Sequence, residues 1–288
     1  MHPAPSIIVF TVLSGAGFGM LFWLGLGLAA PTGGAAWLAY VIAFAFTVGG
    51  LLSSTLHLGN PQRAWRAFSQ WQTSWLSREG VLAVAALPLM GLHALGALGL
   101  LPSVPVFGWI GALLCGATVF ATSMIYAQLK TVPRWNHWTV PALFLSLSLT
   151  GGALLTGLQT ASLLGLLISG GFAILHWRIG DTRFAAAGST LSTATRLADE
   201  VRSFEPPHTG TNYLLKEMVH EVGRAHASKL RMIALALLLP VPLLLCLVAP
   251  NAFGFVLASL SHLVGAFASR WLFFAEAEHV VGLYYGKR

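Results

Sequence analysis

Apolar residues run along this chain in long unbroken stretches, and polar residues are gathered into a few segments between them. The stretches do not alternate with a period of two, and most approach the roughly 20 residues a helix needs to cross the ~30 Å hydrocarbon core. A backbone in lipid must satisfy its own hydrogen bonds, which leaves helices or a closed barrel; continuous runs select helices. The pattern predicts eight spans, at residues 7–30, 35–58, 79–101, 105–129, 138–158, 160–177, 230–249 and 252–274. Links near 31–34, 101–105, 158–160 and 250–251 are short and uncharged, whereas 59–78, 130–137 and 178–229 are longer and polar. The fold expected is an all-α integral membrane protein, a bundle of eight transmembrane helices forming one domain over residues 1–288. Prolines inside the runs (Pro88, Pro141, Pro240, Pro242) fit this fold, because neighbouring helices can satisfy the backbone groups they release. The first run follows no basic segment and is longer than a signal-peptide core, so it reads as an uncleaved span.

Charge sharpens this picture. Only 9% of the 288 residues are charged and 56% are hydrophobic, against about 25% charged in a soluble domain. With eight spans, all 16 Lys and Arg fall on one side: Arg63, Arg66 and Arg78, then Lys130 and Arg134, then Arg178 through Arg231, then Arg270 and the C-terminal Lys287 and Arg288. The nine acidic residues fall there too. An odd number of spans breaks this segregation. The positive-inside rule then puts both termini and the polar links in the cytoplasm. Orientation accounts for the net charge of +7, so it carries no implication of nucleic-acid binding. Residues 178–229, about 50 in number, are too many for a connector and read as a cytoplasmic docking loop, with helical spacing in 189–203 and 212–229 around Pro206–Pro207. Cys115 and Cys246 stand alone within apolar runs, which argues against a disulfide or a cluster held by this chain.

The densest polar cluster closes the second span, at Leu56-His57-Leu58-Gly59-Asn60-Pro61-Gln62-Arg63-Ala64-Trp65-Arg66, with Glu79 opening the third. A quinone site needs an apolar cleft, a donor at a ring oxygen and a group that exchanges protons; histidine supplies the last two near neutral pH. An interfacial histidine beside arginines also serves as a plain membrane-surface anchor, and chemistry alone leaves both open. Haem is the rival use of histidine, with His57 and His176 at comparable depth, or His93 and His262 at different depths. No zinc-type spacing is present, so no metal site is expected. The tryptophans, Trp135 among them, sit near predicted interfaces as an aromatic belt, although Trp71 and Trp75 are also placed to stack on a ring. Glu276, Glu278 and His279 read as solvated tail residues, with the lining of a proton path as the alternative.

At LHLGNPQRAW, WLSREG, Thr131-Val132-Pro133-Arg134-Trp135 and Ser269-Arg270-Trp271-Leu272-Phe273-Phe274, the chain resembles the membrane-anchor subunits of dimethyl sulfoxide reductase. The resemblance implies a haem-free anchor that holds a four-cluster iron–sulfur subunit and a molybdopterin catalytic subunit against the membrane. It implies electron exchange with a quinone, either ubiquinone or menaquinone. By the same resemblance His57 matches the quinol-site histidine and Glu79 a carboxylate of that site. Arg63, Arg66 and Arg270 match basic positions that shape the site or dock partners. In the respiratory reductase the corresponding loop faces outward; here the charges put it in the cytoplasm of a bacterial inner membrane. That orientation, and PPHTGTNYLLKEM in the sixth link, resemble the anchors of membrane-bound sulfite dehydrogenases. A quinol-oxidising terminal reductase is the alternative within the family. A cytochrome b subunit or a small-molecule transporter is the alternative outside it, the transporter requiring midplane polar groups of which this chain has little beyond His262.

Overall fold

A computed structural model describes residues 1–57, 60–197, 200–205, 210, 212–219 and 226–286, with the side chains of His57 and Pro61 outside that set. The described chain is helical throughout. In order come α1 (Pro5–Gly25), α2 (Gly33–Ser53), α3 (Trp75–Ala97), α4 (Pro105–Ala127), α5 (Thr139–Thr156) and α6 (Gln159–Ala186). The short α7 (Leu191–Thr195) and α8 (Tyr213–Glu217) lie in the sixth link. Then come α9 (Ala227–Leu238), α10 (Pro240–Val248) and α11 (Ala252–Ala275), with 3₁₀ helices at Ser54–His57, Pro61–Phe68 and Val280–Tyr285. Among the described residues eight helices are long and apolar enough to cross a membrane, α9 and α10 together forming the seventh. The eight expected spans are therefore present, each with ends shifted by a few residues.

The sixth span is the exception, extending to Ala186 rather than 177. The apolar run ends at Trp177, but nothing breaks a helix before Gly188, so two charged turns carrying Arg178, Asp181 and Arg183 project beyond it. Residues 178–186, expected in the loop after the sixth span, therefore belong to α6. Pro206–Pro207 and residues 220–225 of that loop lie outside the described residues.

α1 is the hub of the bundle, packing against α2, α4, α5 and α11. Helices in lipid gain little from hydrophobic burial against one another, so close approach at small residues supplies the packing. Gly19 of α1 faces Ser148 of α5, and Gly152 of α5 faces the Gly19–Met20 backbone in return. Gly25 meets Gly108 of α4, and Gly17 meets Ala43 and Thr47 of α2. The seventh span breaks where Pro240 begins a new helix, and Pro242 has no N–H for the Leu238 carbonyl. α11 covers the break: Ser261 Oγ donates to the Leu237 carbonyl at 3.0 Å, and His262 Nδ1 lies 3.5 Å from that of Leu238.

One end of the bundle collects the charge. The Met1 amino group donates to the Ala277 carbonyl at 2.7 Å, and Val280 N donates to the Thr131 carbonyl at 3.0 Å. There Arg134 and Arg231 share two carboxylates. Arg134 reaches Asp181 at 2.6 Å and Glu276 at 3.4 Å. Arg231 reaches Asp181 at 2.6 Å and Glu276 at 2.7 Å. The fourth link, α6, α9 and the C-terminal segment are tied together by these four side chains. Glu276 is thus a buried ion-pair partner, 4% exposed, and not a solvated tail residue. Its position directly after α11 hid this, because sequence order does not reveal that the C-terminal segment folds back under the fourth link. Trp135 likewise leaves the expected aromatic belt. It is buried, stacks on Phe273 with centroids 5.1 Å apart, and its Nε1 donates to the Phe273 carbonyl at 2.9 Å. The TVPRW and SRWLFF segments therefore form one aromatic core.

Two stability outcomes follow from this packing. Gly152→Ala drives a Cβ into the α1 backbone and is expected to cost about 1–3 kcal/mol, whereas Gly49→Ala on the same hub's neighbour meets nothing; thermal unfolding in detergent separates them. Glu276→Gln leaves two arginines short of a buried partner and is expected to cost ~3 kcal/mol, and Asp181→Asn less because Asp181 is half exposed.

Candidate functional site

The 3₁₀ helix Pro61–Phe68 carries the cluster that follows the second span and packs against the start of α3. Ser77 Oγ donates to the Ala67 carbonyl, and Phe68 lies against Gly80. Ser74 caps α3 by accepting from Ser77 N. Arg78 turns back to the loop, its Nε donating to the Trp71 carbonyl at 3.0 Å and Nη2 to that of Gln72 at 2.6 Å, with the guanidinium over Trp75. Arg63, Arg66 and Trp71 are exposed, and Arg66 lies over Trp65. Trp65, Phe68, Trp71 and Leu76 together leave an exposed apolar surface beside these arginines. The His57 backbone ends the 3₁₀ turn that follows α2, while its side chain lies outside the described residues.

Glu79 is different. It sits about 6 Å along α3 from the helix start and is buried, with the Thr122 hydroxyl of α4 donating to Oε1. Thr118, Thr122 and Tyr126 line one face of α4 at a spacing of four, and Tyr126 lies within the electrostatic reach of both Glu79 and Arg270. Arg270 projects from α11 into the same layer. Its guanidinium lies 3.5 Å from the Phe144 ring centroid and 5.3 Å from that of Phe273. Glu79 and Arg270 are therefore both buried inside the bundle, whereas Arg63, Arg66 and Trp71 lie on its surface.

Between α1, α4, α5 and α11 lies a cavity of about 30 Å³, with Thr11, Ser14, Thr122, Ser148, His262 and Arg270 on its walls. At about 10–15 Å³ per molecule it has room for two or three waters and is too small for a quinone ring. Thr11 and Ser14 spend their hydroxyl protons on α1 carbonyls, Ser148 on that of Gly15, and Thr122 on Glu79 and the Thr118 carbonyl. The walls thus present lone pairs. At the opposite end a groove of about 600 Å³ runs between α1, α5 and α6, past Trp23, Leu28, Leu149, Leu164 and Ile168. It is roomy, but none of its lining residues is ionisable.

Four further histidines among the described residues have contacts of their own. His93 Nε2 lies 3.2 Å from the Leu24 carbonyl, and His262 Nε2 lies 3.4 Å from that of Leu147. His176 Nδ1 lies 3.1 Å from Thr139 Oγ1, which is 3.1 Å from His137 Nδ1. Burial first and Arg183 second hold His137 below its ordinary value. Among the described residues no three His, Cys, Asp or Glu side chains gather as a metal would require. Sequence reasoning missed Thr122 and Tyr126; the available signal was the Thr118–Thr122–Tyr126 spacing within an otherwise apolar helix.

A family model described as DMSO reductase anchor subunit (DmsC) matches residues 1–276. A protein from Allochromatium vinosum, named as a subunit of sulfite dehydrogenase, is 29% identical over 323 residues, covering 99% of this chain and 99% of that protein. No solved structure matches the chain. With eight membrane-spanning helices and a family match over nearly its whole length, the chain belongs to the DMSO reductase anchor-subunit (DmsC) family and is a multi-pass membrane subunit of an oxidoreductase complex.

Proposed function

We propose that this chain is the quinone-reactive anchor of a complex that oxidises sulfite to sulfate. The observation that carries the proposal is Glu79, a carboxyl buried one turn inside the bundle on the charged side, beside an exposed aromatic surface. Buried ionisable groups in a membrane are costly and mark proton or ligand sites. The substrate assignment is supported by full-length similarity to the Allochromatium sulfite dehydrogenase protein. Sulfite and water give sulfate, two protons and two electrons in a molybdopterin partner. An iron–sulfur partner carries the electrons to the anchor, where a quinone takes up two electrons and two protons to become quinol.

The quinone ring rests outside the 30 Å³ cavity, against Trp65, Phe68 and Trp71, with its tail in lipid. His57 hydrogen-bonds a ring oxygen and gives it a proton; Glu79 passes protons inward from the charged face. Arg63 and Arg66 shape the rim or meet the partner. The cytoplasm is the charged side, by the positive-inside rule, so both termini and the loop ending near residue 226 face the partners there. The groove at the other end offers volume but no proton donor, which disfavours it as the reacting site. A quinol-oxidising reductase uses the same residues in reverse, and the family description favours it as the second reading.

His57→Ala is expected to assemble with its partners and to keep sulfite oxidation by a soluble dye, while quinone reduction falls about a hundredfold, the scale of a lost general acid. Quinone reduction at the normal rate in an intact complex contradicts the assignment.

A further inference from the structure

Arg270 poses a problem that the function proposed above does not resolve. A guanidinium stays protonated under all ordinary conditions, and a buried charge without a counter-charge is strongly destabilising. Arg270 is 4% exposed, and among the described residues its Nε and Nη1 meet no hydrogen-bond acceptor. Stacking on Phe144 offsets part of the cost but does not use those N–H groups. Arg270 lines the cavity whose Thr and Ser walls present lone pairs. On the far wall Thr122 holds Glu79. Counting from the helix ends at 1.5 Å per residue, Glu79, Thr122 and Arg270 lie one to one and a half turns below the charged face, at matching depth.

We infer that this cavity holds water, and that the water joins Arg270 to Thr122 and through it to Glu79, making one water-bridged charge pair between spans three and eight. Arg270 is then a positioning residue. It favours the ionised form of Glu79 and fixes the carboxyl on the α4 side, where it takes up and releases protons. Among the described residues the other groups around Glu79 are accounted for. α1 has no ionisable side chain, and α4 offers Tyr126. Arg78 is spent on the Trp71 and Gln72 carbonyls, and Arg63 and Arg66 are exposed. The bearing of the pair on turnover rests on the proposed function; the pair itself does not.

The test is an infrared titration of the Glu79 carboxyl in the purified complex, identified by subtracting Glu79→Gln, which needs no quinone chemistry. Removing a positive charge makes a carboxyl harder to ionise. Arg270→Met is therefore expected to raise the midpoint by roughly one pH unit, and Arg270→Lys to restore most of the wild-type value. Thr122→Val keeps both charges but cuts the link, and shifts the midpoint in the same direction by less. A wild-type midpoint in Arg270→Met overturns the pair. Should that variant fail to assemble, a wild-type midpoint in Thr122→Val overturns it equally. Quinone turnover on the same preparations separates the two ideas: a shifted titration with normal Glu79→Gln turnover leaves the pair standing and removes Glu79 from the quinone reaction.

Discussion

Charge is expensive in hydrocarbon, and the whole arrangement of this protein follows from where it tolerates that cost. Among the described residues Lys and Arg are confined to one end of the bundle, where the links fold over one another and Arg134 and Arg231 find carboxylates. Only a few ionisable side chains go deeper, and each has a local reason. His262 faces carbonyls at a proline break. Glu79 takes a hydroxyl from the next helix. Arg270 lies on aromatic rings at the edge of a small polar cavity.

The rest of the bundle makes that layer possible. α1 carries no charge and many small residues, so α2, α4, α5 and α11 approach it closely. The hydroxyls of Thr11 and Ser14 on its buried face supply part of the cavity wall. A bulkier α1 separates α4 from α11 and with them Glu79 from Arg270. The TVPRW and SRWLFF segments close the layer from the charged side through Trp135 and Phe273, and the four-residue ion network holds that lid in place.

Much of this was legible in the sequence. Eight apolar runs and one-sided charge give the span count and the sidedness of the links, and Glu79 stood out as a carboxylate at the mouth of a span. What lay hidden has a common physical cause. In a soluble helix the buried face is apolar and the other polar, but here lipid and core both favour apolar side chains. Helical periodicity therefore fades, and only the spacing of Thr118, Thr122 and Tyr126 marked the face of α4 that carries them. Trp135 and Glu276 were misread for a related reason: an interfacial position looks the same in sequence whether the residue meets headgroups or a neighbouring segment folding back. His57 was legible because a lone histidine at the charged end of an apolar run stands out against its neighbours.

The central claim is that quinone reacts at the charged end, against the 3₁₀ helix Pro61–Phe68 and the start of α3. Photolabelling of the purified complex with an azido-quinone, followed by peptide mapping, tests it most directly. The account predicts label in residues 54–80, displaced by excess unlabelled quinone. Displaceable label confined to α5 and α6 around the 600 Å³ groove, with none in residues 54–80, contradicts it.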